Sequence, residues 1–112
     1  MAVARADAIL SVANGSITNS YTTLGSPLTH NWRYFKITNN TDGDMFISFD
    51  GTTNNLFVPA YSFTLYDIAT NAGPPNVIDN LLLGLGTQFY IKYSSAPTTG
   101  SLYIEGWYAR GE

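Results

Sequence analysis

The chain has 112 residues, 12% of them charged, with a net charge of −3 and no cysteine. One domain fits that length, with roughly 65% of the unfolded surface buried, and without thiols it has neither disulfides nor a thiolate metal site to staple it. The basic residues Arg5, Arg33, Lys36, Lys92 and Arg110 are dispersed, which excludes the concentrated positive footprint of a nucleic-acid binder, and no segment is long and apolar enough to span a membrane.

Typical soluble domains carry about 25% charged residues. The polar surface here is therefore built from Thr, Asn, Ser and Tyr. Such a surface sheds few hydrated ions on docking, which favours lasting protein contact. An ordinary extracellular-type β domain fits the composition equally well.

Residues 1–7 read as a short N-terminal arm, because Asp7 interrupts the apolar stretch that a secretory signal needs. Weak strands are expected over Ala8–Ala13 and Ser16–Leu24. Asn14-Gly15-Ser16 and Asn39-Asn40-Thr41 match the glycosylation acceptor pattern and fit turns equally well.

From Trp32 onward, apolar residues recur with a period close to two, the signature of half-buried strands. The "WRYFKIT" run sets Arg33, Phe35 and Ile37 against Trp32, Tyr34 and Lys36. The "DMFISFD" run sets Met45, Ile47 and Phe49 against Phe46, Ser48 and Asp50. In "YSFTLYDI", Tyr61, Phe63 and Leu65 form the apolar face, opposite Ser62, Thr64 and Tyr66. Residues 71–86 break the pattern: Pro74 and Pro75 forbid a central strand, and Leu81, Leu82 and Leu83 form either a plug over the core or an exposed apolar anchor. The "TQFYIKY" run then buries Phe89, Ile91 and Tyr93, and "SLYIEGWYA" buries Leu102 and Ile104. The "SSAPTTG" loop between these two runs reads as a hairpin. Seven to eight short strands separated by turns predict an all-β chain, an antiparallel β-sandwich of jelly-roll-like form, as a single domain over residues 1–112.

Catalytic and metal chemistry find little purchase. Asp42, Asp44 and Asp50 lack the ligand spacing and closing Glu of an EF-hand. A strand of about 3.3 Å per residue places Asp44 and Asp50 roughly 20 Å apart, so they read as turn formers. His30, the single histidine, has no G-x-S-x-G elbow and reads as a loop-bonding residue. The spacing of Asp67, Asp79 and Glu105 forces no pair together, and Gly84-Leu85-Gly86 reads as a turn. No catalytic residue, cofactor or metal is expected.

The aromatics are the informative class: two Trp, eight Tyr and six Phe exceed the needs of one small core. Tyr34, Tyr66, Tyr90 and Tyr103 fall opposite the apolar residues of their strands, and Trp107 lies on the same face as Tyr103. With Leu81, Leu82 and Leu83 they are the candidate interface residues. Tyr and Trp suit protein interfaces because each has an apolar body and a polar tip. Packing between sheets ranks second, and a sugar-stacking platform third.

The stretches "NNTDGDMFISFDGTTNNLFVPAYSFTLYDI", "GTQFYIK" and "APTTGSLYIEGWY" together resemble small virion structural proteins of tailed bacteriophages. The likeness, of texture and order, covers roughly Trp32 to Tyr108. It implies a non-enzymatic capsid decoration, cement or staple protein with a sandwich or jelly-roll fold. Such a protein is made in the bacterial host cytoplasm and sits on the virion surface. Its partner is then the major capsid protein, with a homo-oligomer, dimer or trimer, multiplying the contacts. The alternatives are a head-completion, connector or tail-associated protein, or a carbohydrate-binding β-sandwich module.

Overall fold

The computed structural model describes residues 4–67 and 83–109. Among them are nine strands: β1 (Ala4–Ala6), β2 (Leu10–Ala13), β3 (Thr22–Leu24), β4 (Trp32–Thr41), β5 (Met45–Ser48), β6 (Leu56–Val58), β7 (Ser62–Asp67), β8 (Phe89–Tyr93) and β9 (Gly100–Ala109). One sheet runs β1-β9-β4-β7, with β2 also on β9; the other runs β3-β8-β5-β6. All pairings are antiparallel. The two sheets pack as a sandwich. β1 and β2 are two pieces of one edge, interrupted at residues 7–9, and β6 has no counterpart among the runs that the sequence pattern marks as strands. Of the residues read as a short arm, Ala4–Ala6 thus pair with β9.

The pairing is nested. β5 pairs with β6, β4 with β7, β3 with β8, and β1 and β2 with β9. β4–β9 and β5–β8 contacts then join these pairs into the two sheets. The core between them comprises Ile17, Leu24, Leu28, Trp32, Phe35, Ile37, Met45, Ile47, Val58, Phe89, Ile91, Leu102 and Ile104. At its centre, Phe89 meets Phe35 edge-on at 5.9 Å and lies 5.9 Å from Trp32. Such aromatic pairs contribute about 0.5–1.5 kcal/mol each beyond area burial.

Three local expectations are corrected. Trp32 belongs to the buried face with Phe35, not opposite it. The cause is a β-bulge: Trp32 pairs with Tyr108 and Tyr34 with Trp107, so two steps on β4 match one on β9 and Trp32 is turned inward. Gly106 makes room for it, since a Cβ there would drive into the indole.

The second correction concerns β7. Phe63 and Leu65 face solvent, while Ser62, Thr64 and Tyr66 face inward. Register decides this: Tyr66, Thr64 and Ser62 pair with the buried Phe35, Ile37 and Asn39. Directly opposed residues share a face, and a one-residue slip would exchange every side chain.

The third concerns the loop between β8 and β9, which crosses from one sheet to the other instead of closing a hairpin. It is tied to the β4–β5 turn. The Asp42 carboxylate accepts from Thr98 N and the Thr98 hydroxyl, and the Asp44 carbonyl accepts from Ser94 N at 2.8 Å. The hairpin of the four-stranded sheet is β5–β6.

Candidate interaction surfaces

The carboxylates that could suggest a metal site are committed to backbone. Asp50 closes the β5–β6 connection, accepting from Thr52 N at 2.9 Å, Thr53 N at 2.8 Å, the Thr53 hydroxyl at 2.7 Å and the Ser48 hydroxyl at 2.8 Å. The Thr53 and Thr52 amides lead in holding its carboxyl well below the usual range. Asp42 is lowered by the Thr98 hydroxyl and amide. Asp44 accepts from Ala60 N at 2.9 Å. Asp50 thus holds the local turn role that the sequence predicts, whereas Asp42 and Asp44 bond residues far along the chain. No cluster of three or more metal-capable side chains occurs among the described residues.

Asn39 is wholly buried at the end of β4, so the acceptor-pattern match there is an internal strap rather than a turn. Its Nδ2 donates to the carbonyls of Gly43 (2.8 Å), Val58 (3.0 Å) and Pro59 (3.2 Å). Its Oδ1 accepts from the Thr41 hydroxyl at 2.6 Å and from Thr41 N at 3.1 Å.

His30 stacks on Tyr108, with ring centroids 3.7 Å apart and 3° between planes. Its Nδ1 lies 3.3 Å from Asp7 Oδ2, and the same Asp7 oxygen accepts from Trp32 Nε1 at 3.0 Å. Burial raises the Asp7 pKa, but the bonds from Trp32, Ala8 and His30 and the His30 charge outweigh it and leave the carboxyl below its ordinary value. The Thr29 hydroxyl is also 3.3 Å from His30 Nδ1. A triad places acid and nucleophile on opposite ring nitrogens. Here both approach the same one, so the group straps the edge strand to the core. Beside it lies a cleft of about 150 Å³ lined by Asp7, Leu10, Pro27, Leu28 and Trp32, among others.

The outer sheet faces carry the remaining chemistry. On the five-stranded sheet, Tyr34 and Trp107 are cross-strand partners and stack at 5.9 Å. The next row holds Leu65, Lys36 and Glu105; the one after holds Phe63, Thr38, Tyr103 and Ser11. Phe63 and Leu65 are 64% and 58% exposed, and Tyr103 is 37% exposed. The Lys36 ammonium lies over the Phe63 ring, 4.8 Å from its centroid. On the four-stranded sheet, Phe46 packs on its partner Phe57 at 5.2 Å. Lys92 lies over the rings of Tyr21 (4.7 Å) and Phe46 (5.7 Å).

Of the sequence-predicted interface residues, Tyr34, Tyr103 and Trp107 share the first face. Tyr90 lies outward on β8, beside Gly51. Tyr66 faces inward instead, stacked on Phe35 at 4.9 Å, and burial raises its phenol pKa. Leu83 bridges to Trp32 and packs on the core, so it is not an exposed anchor. Leu81 and Leu82 lie outside the described residues. Alternation alone assigned Phe63 and Leu65 to the wrong side; the inward demand of β4 was the missing signal. Comparison with family models, curated proteins and solved structures returned no match.

Proposed function

We propose that this chain is a non-enzymatic structural protein of a tailed-phage virion, a decoration or cement protein bound to the major capsid protein on the outer lattice. The observation that carries the reading is a two-sheet body with rings on both outer faces and little charge among them. Rings displayed on sheets lose little conformational entropy on docking, and fully desolvated aromatics dominate binding energy. The nested strand order supports a jelly roll, an architecture frequent in capsid proteins. The four-stranded face, with Phe46, Phe57, Lys92 and Tyr21, is the surface we assign to the lattice.

A sugar platform is less well supported. It needs ring faces open to a pyranose, whereas Tyr34 and Trp107 cover one another and Lys36 caps Phe63.

Co-sedimentation with matching empty heads tests the proposal. Wild-type protein should bind saturably, and a Phe46→Ser, Phe57→Ser variant roughly tenfold or more weakly. Failure of the folded wild-type protein to sediment with heads contradicts it.

A further inference from the structure

We infer that the outer face of the five-stranded sheet is a two-fold self-association surface whose occupant is a second copy of this chain. The inference does not rest on the capsid reading.

The charge arrangement on this face carries it. β9 and β4 are the central strands, flanked by the β1–β2 edge on one side and β7 on the other. The outward positions on the central pair are Tyr34, Lys36, Thr38 and Asn40 on β4, and Ser101, Tyr103, Glu105 and Trp107 on β9. Of these only Lys36 and Glu105 are charged, and they are register partners astride the midline. Lys36 nevertheless leans away over Phe63, and Glu105 has no ion-pair partner among the described residues. Glu105 is thus left without a paired cation on its own face among the described residues, a place that the lysine of a second copy can fill.

A two-fold axis along the strands, between β4 and β9, supplies one. It lays the partner's β4 over β9 at the usual sheet spacing of about 10 Å, with strands within about 30° of parallel. The partner's Lys36 then sits over Glu105, and its Glu105 over Lys36. The same operation brings the partner's Tyr34 to Trp107 and the partner's Thr38 to Tyr103. It also covers the exposed edges. Ile9, 60% exposed, lies alongside Glu105, because Asp7 N bonds the Gly106 carbonyl and Leu10 pairs with Ile104. The partner's β7 crosses this edge, so its Leu65 meets Ile9 and its Phe63 meets Ser11. The competing two-fold, running across the strands through this row, would set Lys36 on Lys36 and Glu105 on Glu105. Like-charge juxtaposition selects against it.

Charge exchange between two variants tests the geometry. Lys36→Glu alone sets carboxylates against carboxylates across the axis, and Glu105→Lys alone sets ammonium groups against ammonium groups. Each should self-associate at least roughly tenfold more weakly than wild type. Mixed in equal amounts, the two should form a heterodimer, since each contact then pairs opposite charges. The doubly exchanged chain, K36E with E105K, should dimerise like wild type. Sedimentation and native mass spectrometry read the species, and thermal melting checks that each variant is folded. A wild type that stays monomeric at the highest attainable concentration overturns the inference. So do single variants that dimerise as well as wild type, or a mixture that yields no heterodimer.

Discussion

Asn39 satisfies three carbonyls and a hydroxyl from a wholly buried position, so its removal leaves several polar groups unpaired at once. Asn39→Ala should cost about 2–4 kcal/mol in chemical denaturation, and Asn39→Leu should not recover it, because the stranded carbonyls remain. Gly106→Ala should cost about 2 kcal/mol or more by the same measurement, since the indole of Trp32 occupies the space of the added methyl. The acids act in the other direction on pH. Asp7, Asp42 and Asp50 are all held below the ordinary value of 3.8 when folded. The unfolded chain therefore binds their protons first on acidification. The stability they contribute is full above 3.8 and is lost as pH falls through their lower folded values. Calorimetry should show a thermal midpoint insensitive to these groups near neutrality and falling below 3.8, less steeply in Asp7→Asn. The turn role of Asp50 is legible in the sequence, because Asp ahead of Gly-Thr-Thr can accept from the amides that follow it; the long-range bonds of Asp42 and Asp44 are not. The buried role of Asn39 is not legible either, because an Asn-Asn-Thr run has no local mark of burial.

The β7 strand shows why element-level reading can find a strand and still invert it. Alternation in "YSFTLYDI" marks a strand correctly, but two faces with Phe and Leu on one and Tyr on the other do not say which is inward. Pairing with β4 decides it, and β4 turns its buried residues toward Tyr66, not Phe63. Phe63→Ala should therefore change stability by under about 0.5 kcal/mol, where a core phenylalanine would cost about 3–5. Tyr66→Ala should cost more than Phe63→Ala in the same denaturation series, through lost contact with Phe35. The inward faces of β5, β8 and β9 are legible because one side of each is wholly apolar and carries an isoleucine, while the other carries Ser48, Lys92 or Glu105. β4 was read correctly except at Trp32, where a bulge breaks the period. No residue near Trp32 announces that bulge; the compensating Gly106 lies on another strand.

At the scale of the whole molecule, sequence periodicity predicts the two-sheet sandwich but not its nesting. The loop after β8 looked like a hairpin because its ends are strands and its middle is turn-rich. Asp42 and Asp44 bind that loop to a connection roughly fifty residues earlier in sequence, a long-range tie that local pattern does not encode. The outcome is a sandwich with two ring-bearing faces. A dimer joined through the five-stranded face would turn its two four-stranded faces in opposite directions, so only one of them could meet a single lattice surface and the dimer adds no avidity there. The proposed capsid role is tested most sharply by imaging the particles produced from the genome that carries this chain. On the proposed role, density for this sandwich should appear in many copies on the outer capsid lattice, with the four-stranded face toward the major capsid protein. Virions that lack the chain, or that hold it solely in a neck or tail ring, would contradict it.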